Sequence, residues 1–286
     1  LPGVKVGVLQ GPTCDHEGKG IVLCMIQSLV KRAYPAEFFD SIGLVVVDEC
    51  HHIAAKTFSE CLRPFGAAHR LGLTATPERT DGLERVVHWL LGPTVCKVER
   101  RKGEEGTTEV PSVRTLAYQP KGWKEVRGRN GTILYTSMIT QMVRDDARNE
   151  LIVSEVLELW KQKRRVMVVS ERRKHLEALR SRLPPTVQTC MYVGETSKKR
   201  KRSREADALE ASVLFSTYSM GEEGLDLPFL DTLVLATPKK RLDQVIGRIL
   251  RHCEGKQAPL IVDVADGFSI FHGMGRGRAR YYAAKG

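Results

Sequence analysis

The sequence predicts an α/β fold made of two parallel-sheet units in tandem. Three observations predict it. Short apolar runs alternate with helix-period stretches over the first hundred residues. A polar, glycine-bearing break, "RRKGEEGTTEVPS" at 100–112, interrupts them. The alternation then resumes from residue 137. Such alternation gives a mostly parallel sheet covered by helices, and 286 residues suffice for two units of ordinary size.

In the first block the strand candidates are 4–9, 21–26, 44–49, 70–75 and 95–99, with helical stretches near 28–34, 54–63 and 81–91. A strand-like "VRTLAY" at 113–118 and a second glycine- and charge-rich loop to about 131 follow the break. The expected division is therefore a first domain over 1–110, a linker or excursion over 111–136, and a second domain over 137–286. In the second block a helical pattern at 137–162 precedes strands at 165–170, 188–193, 213–216, 232–236 and 259–264. Helices are expected between them at 171–183, 200–210 and 241–251.

Charge is unevenly spread around a net of +11. Residues 1–110 carry 13 Lys and Arg against 14 Asp and Glu, and residues 111–286 carry 32 against 20. A basic second half suggests a polyanionic partner, most simply nucleic acid, although a solvated basic surface gives the same count. No apolar run approaches the ~20 residues of a membrane span, and no signal peptide opens the chain. The first residue is Leu1, as in a processed or partial chain. The seven cysteines are scattered and never form C-x-x-C, which fits reduced thiols and an intracellular setting.

"GPTCDHEGKG" at 11–20 resembles a phosphate-gripping loop but fails its geometry. Gly11 and Gly18 are separated by six residues where a P-loop has four, and Lys19 is followed by Gly20, which has no hydroxyl for magnesium. A strand-forming "IVLCMI" follows where a helix N-terminus should face the phosphates. The segment reads as strand, loop, strand.

"LVVVDECHH" carries the most chemistry. An apolar strand ends in Asp48 and Glu49, and ligands of open α/β sheets bind outside the carboxyl ends of strands. Two adjacent acids there suit a magnesium–phosphate site, with one holding the metal's water shell and the other orienting an attacking water. Cys50, His51 and His52 are a poor zinc site, because adjacent residues rarely close one tetrahedron. The next strand ends "LGLTATPER", placing the hydroxyls of Thr74 and Thr76 at a second strand end before Pro77.

D-E-x-H after one strand and T-A-T-P after the next resemble the DEAH-type superfamily-two helicases and translocases. "VMVVSERRKHLEAL" (166–179), "STYSMGEEGLDLP" (216–228) and "QVIGRILR" (244–251) are similar to that family's motifs IV, V and VI, in order. "LTATPERTDGLERVVHWLLGP" is most similar to the branch of the Xeroderma pigmentosum B-type translocases and the helicases of large DNA viruses, poxvirus-like ones included.

The resemblance implies two tandem RecA-like domains, the first incomplete at its N-terminus because no Walker A loop is present. It implies ATP and Mg2+ as cofactors, with Asp48 at the metal and Glu49 activating water. His51, Thr74 and Thr76 would couple hydrolysis to nucleic acid. Gln244, Arg248 and Arg251 would act on the phosphates from the second domain, the two arginines sharing a helix face. Gly224 would let the backbone approach closely, Asp226 would bond ribose or link the two sites, and Gln27 and Ser28 would face the nucleic-acid strand.

The implied activity is an ATP-dependent DNA helicase or translocase on double-stranded or forked DNA, in nucleus, cytoplasm or viral factory. Membership of a larger transcription or repair complex is compatible with it. The alternative is a nucleotide-independent nucleic-acid-binding subunit. The run "SKKRKRSR", with Lys198, Lys199 and Arg200, fits DNA contact, a nuclear address or a solvated helix start. "GRGRARYY" at 275–282 fits either backbone contacts with stacking, or a C-terminal helix that packs its tyrosines on the second domain.

Overall fold

The computed structural model describes residues 3–51, 56–74, 84–97, 110–194, 205–223 and 227–285. The chain divides after Glu99 into two compact units. His52, Thr76, Lys198, Lys199, Arg200, Gly224 and Asp226 lie outside the described residues.

In the first unit, β1 (Val6–Gln10) turns back through Gly11 into β2 (Thr13–Cys14) and pairs in parallel with β3 (Ile21–Cys24). Gly11 holds a φ of 57°, the left-handed region that glycine enters without a steric penalty. Helices α1 (Ile26–Lys31) and α2 (Ala36–Asp40) lead to β4 (Leu44–Val47). After α3 (Lys56–Glu60), β5 (His69–Gly72) pairs in parallel with β4, and α4 (Glu84–Leu91) follows. The expected single sheet is thus two pieces, β2-β1-β3 and β4-β5. Residues 95–97, the described part of the strand expected at 95–99, form none.

Both pieces pack on one apolar layer. Leu9, Val22, Cys24 and Val45 gather around Phe38 and Phe65. Apolar runs such as "LVVV" read as strands buried on both faces, but among the described residues only one face is covered. On the other face Val6, Val8, Ile21, Leu23, Leu44, Val46 and Leu71 remain 37–59 % exposed.

The second unit is covered on both faces. Its six parallel strands run β6 (Ser112–Tyr118), β11 (Leu260–Asp266), β10 (Thr232–Leu235), β7 (Val166–Ser170), β9 (Val213–Thr217), β8 (Thr189–Tyr192). Every residue of β7 and β10 is buried. Around them lie α5 (Tyr135–Met142), α6 (Asp146–Lys161), α7 (Arg173–Ser181), α8 (helical at 205–210), α9 (Tyr218–Glu223), α10 (Asp243–Ile249) and α11 (Ser269–Lys285). The interval 111–136, expected as a linker, is part of this unit: β6 pairs with β11 along seven residues, and Trp123 is buried.

Helix α6 shows why the sequence folds this way. Ile152, Val153, Val156 and Leu159 recur on one helical face and are all buried. Each such side chain contributes about 1.5–3 kcal/mol on leaving water. Asp145 caps the helix by accepting the amide of Arg148 at 3.0 Å. The same carboxylate accepts the Tyr118 hydroxyl and the Trp123 indole N–H, each at 2.8 Å. Burial pushes the Asp145 carboxyl up, but these donors outweigh it and hold the group below its usual range. Arg148, fully buried, forks onto Asp266 at 2.7 and 3.0 Å and donates to the Ala236 carbonyl at 2.8 Å. The start of α6 is thereby tied to the carboxyl ends of β10 and β11.

His175 on α7 is buried between the Ser170 hydroxyl at 3.0 Å and the Asn149 side-chain oxygen at 2.9 Å. Burial, with Arg148 and Arg182 nearby, pushes its pKa down to about 3. A histidine held neutral in the fold but free to protonate when unfolded draws protons to the unfolded state. Stability is therefore full above about pH 6.5 and falls as pH drops toward 3, with a slope of up to about 1.4 kcal/mol per pH unit. Chemical denaturation of wild type and His175→Gln at pH 7, 6 and 5 should show a flatter pH dependence in the variant. Equal slopes would exclude His175 as the cause.

Candidate functional site

Strand β4 ends at Val47, and the chain turns sharply through Asp48 and Glu49. Glu49 takes a φ of 49°, an unusual conformation for a side-chain-bearing residue. The turn is held by two backbone hydrogen bonds to β5 and its extension, Leu73 N–H to Val47 C=O and Cys50 N–H to Leu73 C=O, both at 2.9 Å. Gly72 allows this close approach, since a Cβ there would stand 2.9 Å from the Cys50 sulfur. Burial pushes the Cys50 thiol up.

The turn brings three expected residues together. The His51 Nδ1 lies 3.0 Å from the Thr74 hydroxyl and 3.2 Å from Glu49 Oε2. The one ring nitrogen thus hydrogen-bonds with the Thr74 hydroxyl and stands within ion-pair distance of the Glu49 carboxylate, so the imidazole lies between the acid of one strand end and the hydroxyl of the next. Asp48 is exposed beside them and accepts the Glu49 amide at 2.9 Å. Oxygen donors of this kind suit Mg2+, which keeps several waters and needs few protein ligands.

The loop at 11–20 does not form a phosphate cradle. Gly11 donates its amide to the Ser28 hydroxyl at 2.9 Å, and Tyr34 donates to the Gly11 carbonyl at 2.8 Å. Lys19 pairs with Asp15 at 3.2 Å. Its strand–loop–strand form agrees with the sequence reading. Ser28, expected with Gln27 to face nucleic acid, braces this loop through its hydroxyl and is partly exposed, and Gln27 beside it is exposed.

In the second unit, Gln244 and Arg248 stand one turn apart on α10 and are both partly exposed. The helix ends at Ile249, so Arg251 lies beyond it and does not share a helical face with Arg248 as expected. Lys256, which the sequence reading missed, organises that end. Its ammonium donates to the carbonyls of Ile249 and Arg251, both at 2.7 Å, and of Pro228 at 3.0 Å. A lysine soon after a helix is the signal, because the last carbonyls of a helix lack partners. Tyr281 and Tyr282 pack against the core, donating to Asp243 at 2.8 Å and Asp263 at 3.1 Å, and they are not a stacking platform. Arg278 is buried on Asp263.

Residues 4–79 match the family model described as the Res subunit of type III restriction enzymes, and residues 147–253 match the helicase conserved C-terminal domain. A protein of Acanthamoeba polyphaga mimivirus named as an ATP-dependent RNA helicase is 28 % identical over 262 residues, covering 92 % of this chain and 50 % of its own length. A protein of African swine fever virus, named likewise, is 26 % identical over 319 residues, covering 100 % of this chain and 60 % of its own. The chain thus spans about half to three-fifths of these relatives. Among solved structures, the helicase MrfA bound to DNA superposes with a TM-score of 0.67 at 16 % identity, over 99 % of this chain and 38 % of that one, a likeness of fold.

Proposed function

We propose that this chain, whose two units match the type III restriction Res-subunit and helicase C-terminal models, belongs to the superfamily-two helicases and forms part of a nucleic-acid-dependent ATPase motor of the DEAH type. The observation that carries the reading is the Glu49–His51–Thr74 bridge, since it joins the candidate hydrolytic acid to a second strand end. Asp48 would hold magnesium through its water shell, and Glu49 would orient the attacking water. Bound magnesium would offset phosphate charge as a Lewis acid. Thr74, through His51, would pass the state of Glu49 to β5. Thr76, Gly224 and Asp226 take the coupling roles that the family motifs give them. Arg248 and Arg251 would meet charge on the transferring phosphoryl group, with Gln244 orienting the site.

The phosphate cradle belongs to a segment other than 11–20, because the Gly11 amide and the Lys19 ammonium are already engaged within the first unit. The substrate is proposed to be DNA, by the similarity of "LTATPERTDGLERVVHWLLGP" to the translocase branch; the viral relatives' names favour RNA. ATP hydrolysis by this chain should be measured with duplex DNA, forked DNA or RNA added, beside Glu49→Gln. Binding without turnover is expected, and turnover should appear when a strand, phosphate loop and helix are joined before Leu1. Turnover by the chain alone that Glu49→Gln abolishes would overturn the separate cradle. Failure of all three to stimulate the extended chain would overturn the motor.

A further inference from the structure

The interval 119–134 carries four cations, Lys121, Lys124, Arg127 and Arg129, against one acid, Glu125. It leaves β6 at the carboxyl edge of the six-stranded sheet, the edge outside which α/β folds bind ligands. Its root is fixed from several sides. Trp123 is buried and donates to Asp145. Gln141 accepts the Lys124 amide at 3.0 Å and returns a bond to the Lys124 carbonyl at 3.1 Å. Gly267 leaves room for Gln119, whose amide nitrogen would stand 2.2 Å from a Cβ at that position.

The tip is a small hairpin. Arg127 and Ile133 form an antiparallel bridge, Leu134 N–H donates to Val126 C=O at 2.8 Å, and Gly131 turns the chain at a φ of 75°. Arg127 is used internally, on the Gly131 carbonyl and on Glu125. Glu125 also accepts the Ser269 hydroxyl at 2.6 Å, so its charge is already compensated. Lys121, Lys124 and Arg129 remain exposed and have no ion-pair partner among the described residues. Three exposed cations without ion-pair partners, carried on one braced backbone at the carboxyl edge of the sheet, give that edge a positive potential that attracts an anion.

We propose that this hairpin is a docking element for a nucleic-acid phosphodiester backbone, through Lys121, Lys124 and Arg129. It rests on the proposed motor function and adds to it a contact outside the helicase motifs. Phosphate contacts position a strand without reading its sequence, as a translocating partner requires. Because the backbone is braced beforehand, little ordering entropy is lost on binding.

The test is the salt dependence of affinity for the full chain, by fluorescence anisotropy with labelled single-stranded DNA, duplex DNA and RNA of one sequence. The triple variant Lys121→Gln, Lys124→Gln, Arg129→Gln should lower the slope of log K against log salt by about 2–3 on the probe that uses the hairpin. The equally charge-depleted control Lys161→Gln, Lys163→Gln, Lys174→Gln should leave it unchanged. If wild type binds and the triple variant keeps the wild-type slope, or if the control loses as much, the hairpin proposal is overturned and the motor reading stands. If wild type binds none of the three probes, both fail. The probe on which the slope falls identifies DNA or RNA as the source of the phosphates.

Discussion

Arg248→Ala is expected to lower nucleic-acid-stimulated ATP hydrolysis by about 10³–10⁵ in a form of the chain that carries a phosphate loop, the range for removing an arginine finger. The expectation follows from placement on α10. Gln244 and Arg248 share one side of the helix, while Val245, Ile246 and Ile249 anchor the other in the core. A planar guanidinium presents fixed donors that a lysine cannot reproduce, so Arg248→Lys should recover little. Nucleic-acid affinity without nucleotide should be unchanged, which separates lost chemistry from lost binding. Single-turnover hydrolysis measures the first and anisotropy the second. A loss under tenfold would remove Arg248 from the proposed role and shift it to Arg251, which Lys256 holds by its carbonyl.

The second large effect is structural. Arg148→Ala should destabilise the second unit by about 3–5 kcal/mol, because it leaves Asp266 buried without its cation. Burial already pushes the Asp266 carboxyl up against the pull of Arg148. The double variant Arg148→Met, Asp266→Leu should recover most of the loss, since replacing both charges removes two desolvation costs together. Trp123 is a convenient reporter, being buried and bonded to the same Asp145 that caps α6. Denaturant unfolding followed by tryptophan fluorescence should give midpoints in the order wild type, double variant, Arg148→Ala. If Arg148→Ala and wild type coincide, the pair does not hold the helix to the sheet.

Much of this fold is legible in the sequence, for stated reasons. Strands such as "VMVVS" and "TLVL" are apolar at every position, and a parallel strand buried on both faces requires that. The failure of 11–20 as a phosphate loop is also legible, since a missing hydroxyl and a following strand are local facts. The Glu49–His51–Thr74 bridge is not. It joins positions far apart in the chain through the register that sets Val47 opposite Gly72, and periodicity carries no register between strands. The positive φ of Glu49 is equally hidden, because nothing in its side chain demands it. Residues 119–134 read as a linker because glycine and charge are common to linkers and braced hairpins alike. Their distant partners, Asp145 before α6 for Trp123 and Gln141 on α5 for Lys124, distinguish them. Arg251, expected on the helix, lies past its end at Ile249, where the Lys256 ammonium takes up the Ile249 and Arg251 carbonyls.

The bare face of the first unit bears on how the two units respond to temperature. Valines and leucines on β1, β3, β4 and β5 that already stand half in water gain less hydration on unfolding than enclosed ones do. The heat capacity of unfolding comes mainly from newly hydrated apolar surface, so the first unit contributes less than its composition suggests. The second unit, with β7 and β10 wholly enclosed, contributes in full. One chain therefore joins a unit with a shallow stability curve to one with a strongly curved curve. A layer laid over those valines and leucines would raise the first unit's curvature toward that of the second.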